Sequence, residues 1–126
     1  MPSLKEAFEF FFEFKAGNIE IEKPVTVQHA MYIKWLAMDL LAKEVEASEL
    51  PESALNELLT KMTDLDSQWN HSLQRCLNHA YRLIEQGLLD DASKLLASFV
   101  KSCPSRFYAE IAAGVKEEIF EKKRSR

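Results

Sequence analysis

The sequence predicts an all-α protein, a compact helical bundle of five or six helices with no sheet of more than two short strands. Apolar residues recur at helical spacing along nearly the whole chain of 126 residues. Residues that start and end helices stand at the borders of these apolar stretches. The chain has only three glycines and four prolines, too few for a protein built from many tight turns. We therefore expect one helical domain spanning residues 1–126.

The first predicted helix contains the segment FEFFFEF, residues 8–14. On a helix its phenylalanines fall within an arc of about 200°, and the glutamates lie opposite. Ser3 and Glu6 have the spacing of a capping box, and Gly17 stands where a left-handed residue commonly ends a helix. The sequence therefore predicts a helix between Ser3 and Gly17.

The apolar arc of this helix is wider than a single neighbouring helix usually covers. We therefore expect a contact between chains, with a homodimer as its simplest form. The residues expected in this contact are Phe8, Phe10, Phe12 and Phe14. Phe10 and Phe14 lie at one edge of the arc and the other two at the opposite edge, so one edge should face the core and one a partner. The alternative is a monomer in which the connector and the C-terminal helix cover the outer edge.

The next segment, residues 17–25, alternates apolar and charged residues and contains Pro24. It is predicted to be an extended connector, since proline limits any strand here to a short edge strand. Thr26 can cap a second helix, residues 27–47. This helix is apolar nearly all round, which is typical of the central helix of a bundle.

Residues 51–86 carry a continuous helical stripe of apolar residues and can form one long helix or two. The polar run at residues 63–67 favours an interruption, with Asp66 or Ser67 capping a new helix. Unbroken helices longer than about 25 residues are also uncommon in small domains. We therefore predict two helices here.

A last helix is predicted over residues 105–123, with Ser105 as its N-cap. Its apolar face is expected to comprise Ile111, Val115 and Ile119. Gly114 would allow a neighbouring helix to approach closely. Residues 120–126 are expected to form a basic, frayed tail, which suits the negative end of a helix.

The charge balance argues against several classes of function. The net charge is −4 and the pI is near 5.4, whereas nucleic-acid binders usually carry a basic excess. No stretch approaches the ~20 apolar residues that a membrane span needs. Cys76 and Cys103 are too few for a disulfide framework, so a reducing, cytoplasmic location is expected. We therefore expect neither nucleic acid nor a membrane as a partner.

The residues that could carry catalysis are not spaced for it. His29, His71 and His79 lack the intervals of zinc ligands, and no glutamate stands three positions before a histidine. The acidic pairs at residues 64–66 and 90–91 are explained as helix caps. No phosphate-binding loop, dinucleotide-binding glycine pattern or nucleophile elbow occurs. We therefore expect no catalytic, cofactor-binding or metal-binding residue, and a protein that is not an enzyme.

The most specific pattern in the sequence lies in residues 73–104, where small and large residues flank a central glycine and end at a proline. These marker residues are Ala80, Leu83, Gly87, Leu89, Ala92, Leu96 and Pro104. Their spacing resembles a single helical hairpin of the tetratricopeptide repeat family. The pattern departs from the family at His79, Arg82 and Phe99. The resemblance implies two antiparallel helices, a tight turn at Gly87 and a groove lined by the first helix.

The resemblance also implies a partner-binding surface on that first helix. The corresponding residues are Gln74, Leu77, Tyr81, Ile84 and Glu85. The apolar ones suit a peptide helix or an extended segment, and they equally suit packing under the central helix. We expect a non-enzymatic interaction module, such as an adaptor, a chaperone or an inhibitor. The alternatives are a homo-oligomeric structural or regulatory protein sealed by the Phe-rich helix, and a small immunity-type or phage-encoded inhibitor.

Overall fold

The computed structural model describes residues 3–124, which contain five α-helices and one short 3₁₀ turn. The helices are α1 (Leu4–Lys15), α2 (Val27–Leu41), α3 (Glu52–Glu85), α4 (Leu89–Ser102) and α5 (Arg106–Arg124), and the 3₁₀ turn is Ala47–Glu49. Helices, with the 3₁₀ turn included, make up 79% of the described residues, which contain no strand. The predicted all-α class is confirmed.

The chain divides into two compact units, with the boundary inside α3. Unit 1 is Met1–Asp66 and unit 2 is Ser67–Arg126. Unit 1 therefore contains α1, α2, the 3₁₀ turn and the first part of α3, while unit 2 contains the second part of α3 with α4 and α5. The predicted connector, residues 17–25, has neither helix nor strand.

The ends of α1 follow the residues that predicted them. The Ser3 hydroxyl accepts a hydrogen bond from the Glu6 backbone N–H at 3.1 Å, which satisfies a donor that the first helical turn leaves open. At the other end Gly17 has φ +81°, and the Asn18 N–H donates to the Glu13 carbonyl at 2.9 Å. This left-handed turn satisfies the last carbonyl groups of the helix and stops it.

The core of unit 1 lies where α1 packs on α2. The Phe10 ring lies 4.8 Å from the His29 ring and 5.1 Å from the Tyr32 ring, centroid to centroid. The buried apolar side chains of this unit are Ala7, Phe8, Phe10, Phe11, Ala30, Ile33, Leu36, Ala37, Leu40, Ala47, Leu55, Leu59 and Met62. Phenylalanines of α1 thus supply much of the aromatic surface that holds the unit together.

Helix α2 is shorter than the sequence predicted. It begins after Thr26 as expected, but it ends at Leu41 and not at residue 47. Ala42 adopts the left-handed conformation with φ 54°, and its N–H donates to the Met38 carbonyl at 3.1 Å. The prediction was wrong because no glycine or asparagine marks this end, and a left-handed alanine is unusual.

Helix α2 is also not the central helix that its composition indicated. Val27, Trp35 and Met38 are 80%, 39% and 46% exposed. The helix buries one face, and its outer face carries apolar residues where a surface helix usually carries polar ones.

Helix α3 runs without a break through the polar segment that was predicted to interrupt it. The Thr63 hydroxyl donates to the Leu59 carbonyl at 2.8 Å, one turn earlier in the same helix. Asp66 is buried, and its carboxylate forms an ion pair with Lys15 of α1. The two-helix prediction was wrong because these side chains find partners that leave the helical backbone intact.

In unit 2 the chain reverses direction between α3 and α4. Gly87 has φ +78°, and the Leu88 N–H donates to the Leu83 carbonyl at 2.8 Å. Further from this turn, the Trp69 ring meets the edge of the Phe99 ring at 6.3 Å. Cys76 and Leu95, which lie nearer the turn, are also in contact. The pairing of early with late residues shows that the two segments run antiparallel.

Helix α5 packs on α4 and begins at the predicted cap. Ser105 is buried, and its hydroxyl accepts from the Tyr108 N–H at 3.4 Å. The helix continues to Arg124, so most of the segment predicted to be a frayed tail is helical. Lys123 in this segment forms an ion pair with Asp90 of α4. Arg126, which completes the predicted basic tail, lies outside the described residues.

The buried face of α5 differs from the predicted one. Ile119 is buried as expected, but Ile111 is 38% exposed, and Tyr108 and Ala112 are buried instead. Gly114 is exposed, and a Cβ added there would meet no atom within 4 Å. The expected close approach at this glycine was therefore wrong, because the face that packs is turned by about 40° around the helix from the predicted one, and Gly114 lies about 140° from its centre.

Candidate partner-binding surface

The residues predicted to bind a partner share one side of α3 within unit 2. Leu77, Tyr81 and Ile84 follow one another at intervals of four and three residues, so they form a row along the helix. Leu88 follows Ile84 by four residues in the turn before α4. We call these four residues the α3 stripe.

The side chains of the α3 stripe remain open to solvent. Tyr81 is 45% exposed and Leu88 is 43% exposed, while Leu77 and Ile84 are half-buried. The polar residues predicted beside them, Gln74 and Glu85, are exposed. The sequence left burial and exposure of this face open, and in the structure Tyr81 is exposed while Leu77 and Ile84 are half-buried.

The orientation of the α3 stripe follows from the face of α3 that packs. Leu73 and Ala80 are fully buried, as is Ala92 of α4. Since Leu77 and Tyr81 lie on the side of α3 next to this packed face, they border the hairpin core without entering it.

Titratable and nucleophilic side chains also lie on α3 near the stripe. His71 and His79 are exposed on α3, and no cluster of His, Cys, Asp or Glu in residues 3–124 could hold a metal ion. Burial raises the pKa of the half-buried Cys76 thiol, which leaves less of the nucleophilic thiolate at neutral pH. The stripe itself consists of apolar and aromatic side chains.

The phenylalanines predicted to form a contact between chains have separate positions. Phe8 and Phe10 are buried in the core of unit 1, so their side chains offer no surface to a partner. Phe12 is 39% exposed, and the Lys15 ammonium lies 4.9 Å from the centre of its ring. Phe14 is half-buried and stacks with Phe11. One edge of the apolar arc was expected to face the core and the other a partner. This expectation was wrong, because the two buried residues, Phe8 and Phe10, come from opposite edges of the arc.

The exposed apolar residues of α2 were not identified as functional from the sequence. Val27, Trp35 and Met38 fall among the apolar residues of a helix that contains few polar ones, so periodicity did not separate an inner from an outer face. The signal that could have found them is the total apolar area, which exceeds what one neighbouring helix can cover.

Comparison of the chain with protein-family models, with curated proteins and with solved structures found no match. Within the described residues, no helix has both the length and the apolar character that crossing a lipid bilayer requires. The functional conclusion therefore rests on the surfaces described above.

Proposed function

We propose that this protein is a non-enzymatic interaction module that binds a protein partner on the α3 stripe. The observation that supports this most directly is the exposure of Tyr81, 45%, at the centre of a row of apolar side chains on a helix. Exposed rows of this kind are more typical of association surfaces than of a solvent-facing helix.

The chemistry of the stripe suits a protein segment. A tyrosine brings a large, rigid ring with few rotatable bonds, and its hydroxyl can still form a hydrogen bond when the ring is covered. Leu77 and Ile84 lie one turn to either side, at the spacing that an amphipathic helix or an extended peptide would contact. Gln74 and Glu85 supply a polar rim, as protein interfaces usually have.

The tetratricopeptide-like character of residues 73–104 is part of the same proposal. The antiparallel course of α3 and α4, the left-handed Gly87 and the buried Ala80 and Ala92 support it. In such a hairpin a partner segment would lie along the first helix, which carries the α3 stripe. Adaptor, chaperone and inhibitor are each forms of this activity, and a reducing cytoplasm fits the free thiols of Cys76 and Cys103.

A homo-oligomer formed through α1 has less support. Of the four phenylalanines expected in such a contact, only Phe12 and Phe14 retain exposed surface. A single exposed ring and one half-buried ring fall short of the area that a stable dimer interface needs, roughly 800 Å² on each partner.

Site-specific photo-crosslinking tests the proposal. Tyr81 is replaced by photoreactive benzoylphenylalanine, and the labelled protein is irradiated in extracts of the source cells. Arg75 is the matched control position, because it is exposed on the same helix about 120° around the axis from Tyr81. We expect a discrete adduct from position 81 that is absent from position 75.

Competition separates specific from incidental capture. Excess unlabelled parent protein should suppress the adduct, whereas an equal excess of the Leu77→Glu plus Ile84→Glu variant should not. Circular dichroism confirms that this competitor keeps its helical content. The proposal is wrong if both positions yield the same adducts, or if the variant competes as well as the parent.

A further inference from the structure

A second exposed apolar row lies on α2, in unit 1. Val27, Met31, Trp35 and Met38 are spaced so that they follow one side of the helix. Val27 is 80% exposed, Met38 is 46% exposed and Trp35 is 39% exposed, while Met31 is half-buried. We call these four residues the α2 stripe. At 1.5 Å per residue it extends about 17 Å, which is three turns of a helix.

A concave site adjoins the α2 stripe. A cleft of about 290 Å³ opens beside Met31 and Trp35, and its lining also includes the ion-paired Lys34 and Glu46. Methionine and tryptophan next to a cleft form an adaptable apolar surface, because the thioether chain can change rotamer to fit a partner. This cleft can therefore receive an apolar side chain from a bound segment.

The C-terminal end of the α2 stripe is electronegative. From Asp39 to Glu49 the chain carries four carboxylates and one lysine. Glu46 is bound by Lys34 at 3.0 Å, and this contact raises the pKa of Lys34. Glu44 and Glu49 are exposed, and neither forms an ion pair within the described part of the chain, although the charge of Glu44 acts on Lys34 at longer range and also raises its pKa. The last turn of α2 has no basic residue to offset the negative end of its dipole.

A second cleft continues this acidic end. It measures about 390 Å³, and its apolar floor includes Leu41, Leu50 and Leu58. Four glutamates and two lysines line it, and Glu46 belongs to both clefts. The apolar surface of unit 1 thus continues past the end of α2 into a region with excess negative charge.

We propose that the α2 stripe binds a basic amphipathic helix of another protein. The apolar side of such a helix would cover Met31, Trp35 and Met38, and its lysines or arginines would lie over Glu44 and Glu49. A helix fits because the exposed row is straight and about three turns long. A positive charge fits because the acidic end has carboxylates without an ion-pair partner among the described residues.

Other occupants fit the charge less well. A second copy of this chain carries a net charge of −4, as does the first, so association would bring like charges together. An anionic lipid surface would be repelled by the same carboxylates. The proposed site lies in unit 1 and requires a basic partner, so it goes beyond the function proposed for the α3 stripe.

Tryptophan fluorescence can measure this binding at the site itself. The chain has two tryptophans, so Trp69→Phe leaves Trp35 as the only tryptophan reporter. The probe is a synthetic helical peptide of about 14 leucines and lysines at amphipathic spacing, long enough to cover the stripe. We expect a saturable blue shift of Trp35 emission in the micromolar range, which weakens as salt is added.

Paired substitutions test both parts of the proposed contact. Met31→Ser plus Met38→Ser should weaken peptide binding about tenfold, and Glu44→Gln plus Glu49→Gln about fivefold. Glu118→Gln plus Glu121→Gln removes the same charge from exposed positions of α5 and should change binding less than about twofold. Circular dichroism of each variant verifies that the helices remain formed.

Several results would overturn the proposal. In the first, the α5 control pair weakens peptide binding as much as the Glu44 and Glu49 pair does. In the second, a leucine–glutamate peptide, or a scrambled peptide of the same composition, binds as tightly as the amphipathic leucine–lysine peptide. Dimerisation of the parent that Met38→Ser abolishes, or a Trp35 shift with phosphatidylserine vesicles, would assign the surface to another occupant. Tyr81→Glu should leave binding of this peptide unchanged. A negative result at the α2 stripe would therefore not contradict the function proposed for the α3 stripe.

Discussion

The ion pair between Lys15 of α1 and Asp66 of α3 makes the strongest prediction about stability. The Asp66 side chain is 1% exposed, whereas the Lys15 side chain keeps 26% of its surface in water. The Lys15 ammonium also lies 5.1 Å and 4.9 Å from the ring centres of Phe11 and Phe12. Lys15→Met removes the charge and keeps most of the aliphatic chain, so it isolates the loss of this cation.

The magnitude follows from the burial of the carboxylate. Removing one partner of a buried ion pair typically costs about 3–5 kcal/mol, since the remaining charge keeps its desolvation penalty. Lys15 is partly exposed, so water can replace some of its interaction, and we expect the low end, about 3 kcal/mol. Lost contact with the two aromatic rings adds roughly 0.5 kcal/mol. This is a large fraction of the stability of a small domain, roughly 5–15 kcal/mol.

A double variant separates the charge from the packing. Lys15→Met combined with Asp66→Leu removes both charges, and we expect its stability to lie within about 1 kcal/mol of the parent. The recovery would show that the single variant suffers from a buried carboxylate that has lost its ammonium partner and not from the loss of the lysine chain.

Urea unfolding followed by far-ultraviolet circular dichroism measures these differences. Trp35 fluorescence in the Trp69→Phe background reports on unit 1 separately, which matters if the two units unfold in different transitions. The matched control is Lys34→Met, because Lys34 and its partner Glu46 are about half-exposed. An exposed pair contributes about 0–1 kcal/mol, so this control should unfold close to the parent.

Two results would refute the reasoning. The first is that Lys15→Met destabilises the protein no more than Lys34→Met does, which would show that burial of Asp66 does not determine the cost. The second is that the double variant is less stable than Lys15→Met, which would show that removing both charges relieves no penalty.

Three further predictions concern backbone conformation and packing, each measured by urea unfolding. Ala42→Gly should raise the free energy of unfolding by about 0.5–1 kcal/mol, because alanine is strained in the left-handed conformation; a loss would contradict this. Gly87→Val should cost at least about 1 kcal/mol from its positive φ, and Ala92→Leu about 1–3 kcal/mol from overpacking; parent-like unfolding of both would refute the account of the hairpin. Gly114→Ala should stabilise α5 by about 0.8–1 kcal/mol, since open space surrounds it; destabilisation would reveal a hidden contact.

Local signals predicted most of the helix boundaries. Ser3, Thr26 and Ser105 each accept a backbone hydrogen bond at the start of a helix, and Gly17 and Gly87 each end one with positive φ. These features act within a few residues of the chain, so residue type and spacing are sufficient to recognise them.

The errors arose where distant residues determine local structure. Asp66 was read as a helix cap because its sequence neighbours are polar, but its partner is Lys15, 51 residues earlier. Ala42 ends α2 although nothing in its residue type requires that. The face of α5 that packs against α4 could not be derived from α5 alone, since Ile111 and Ala112 are both apolar.

The candidate sites show the same division between local and distant information. Helical spacing was enough to place Leu77, Tyr81 and Ile84 in one row, but their exposure depends on what else packs on α3. The α2 stripe was not predicted from the sequence, because a helix that is apolar nearly all round was expected to be covered by neighbours on all sides.

The two stripes differ in chemistry in a way that predicts different partners. The α3 stripe has a tyrosine at its centre and polar residues of mixed type around it, so shape and apolar area would dominate its selectivity. The α2 stripe has flexible methionines and an acidic end, so charge would decide which helices it accepts. Added salt should therefore weaken binding at the α2 stripe and leave the crosslink from position 81 nearly unchanged.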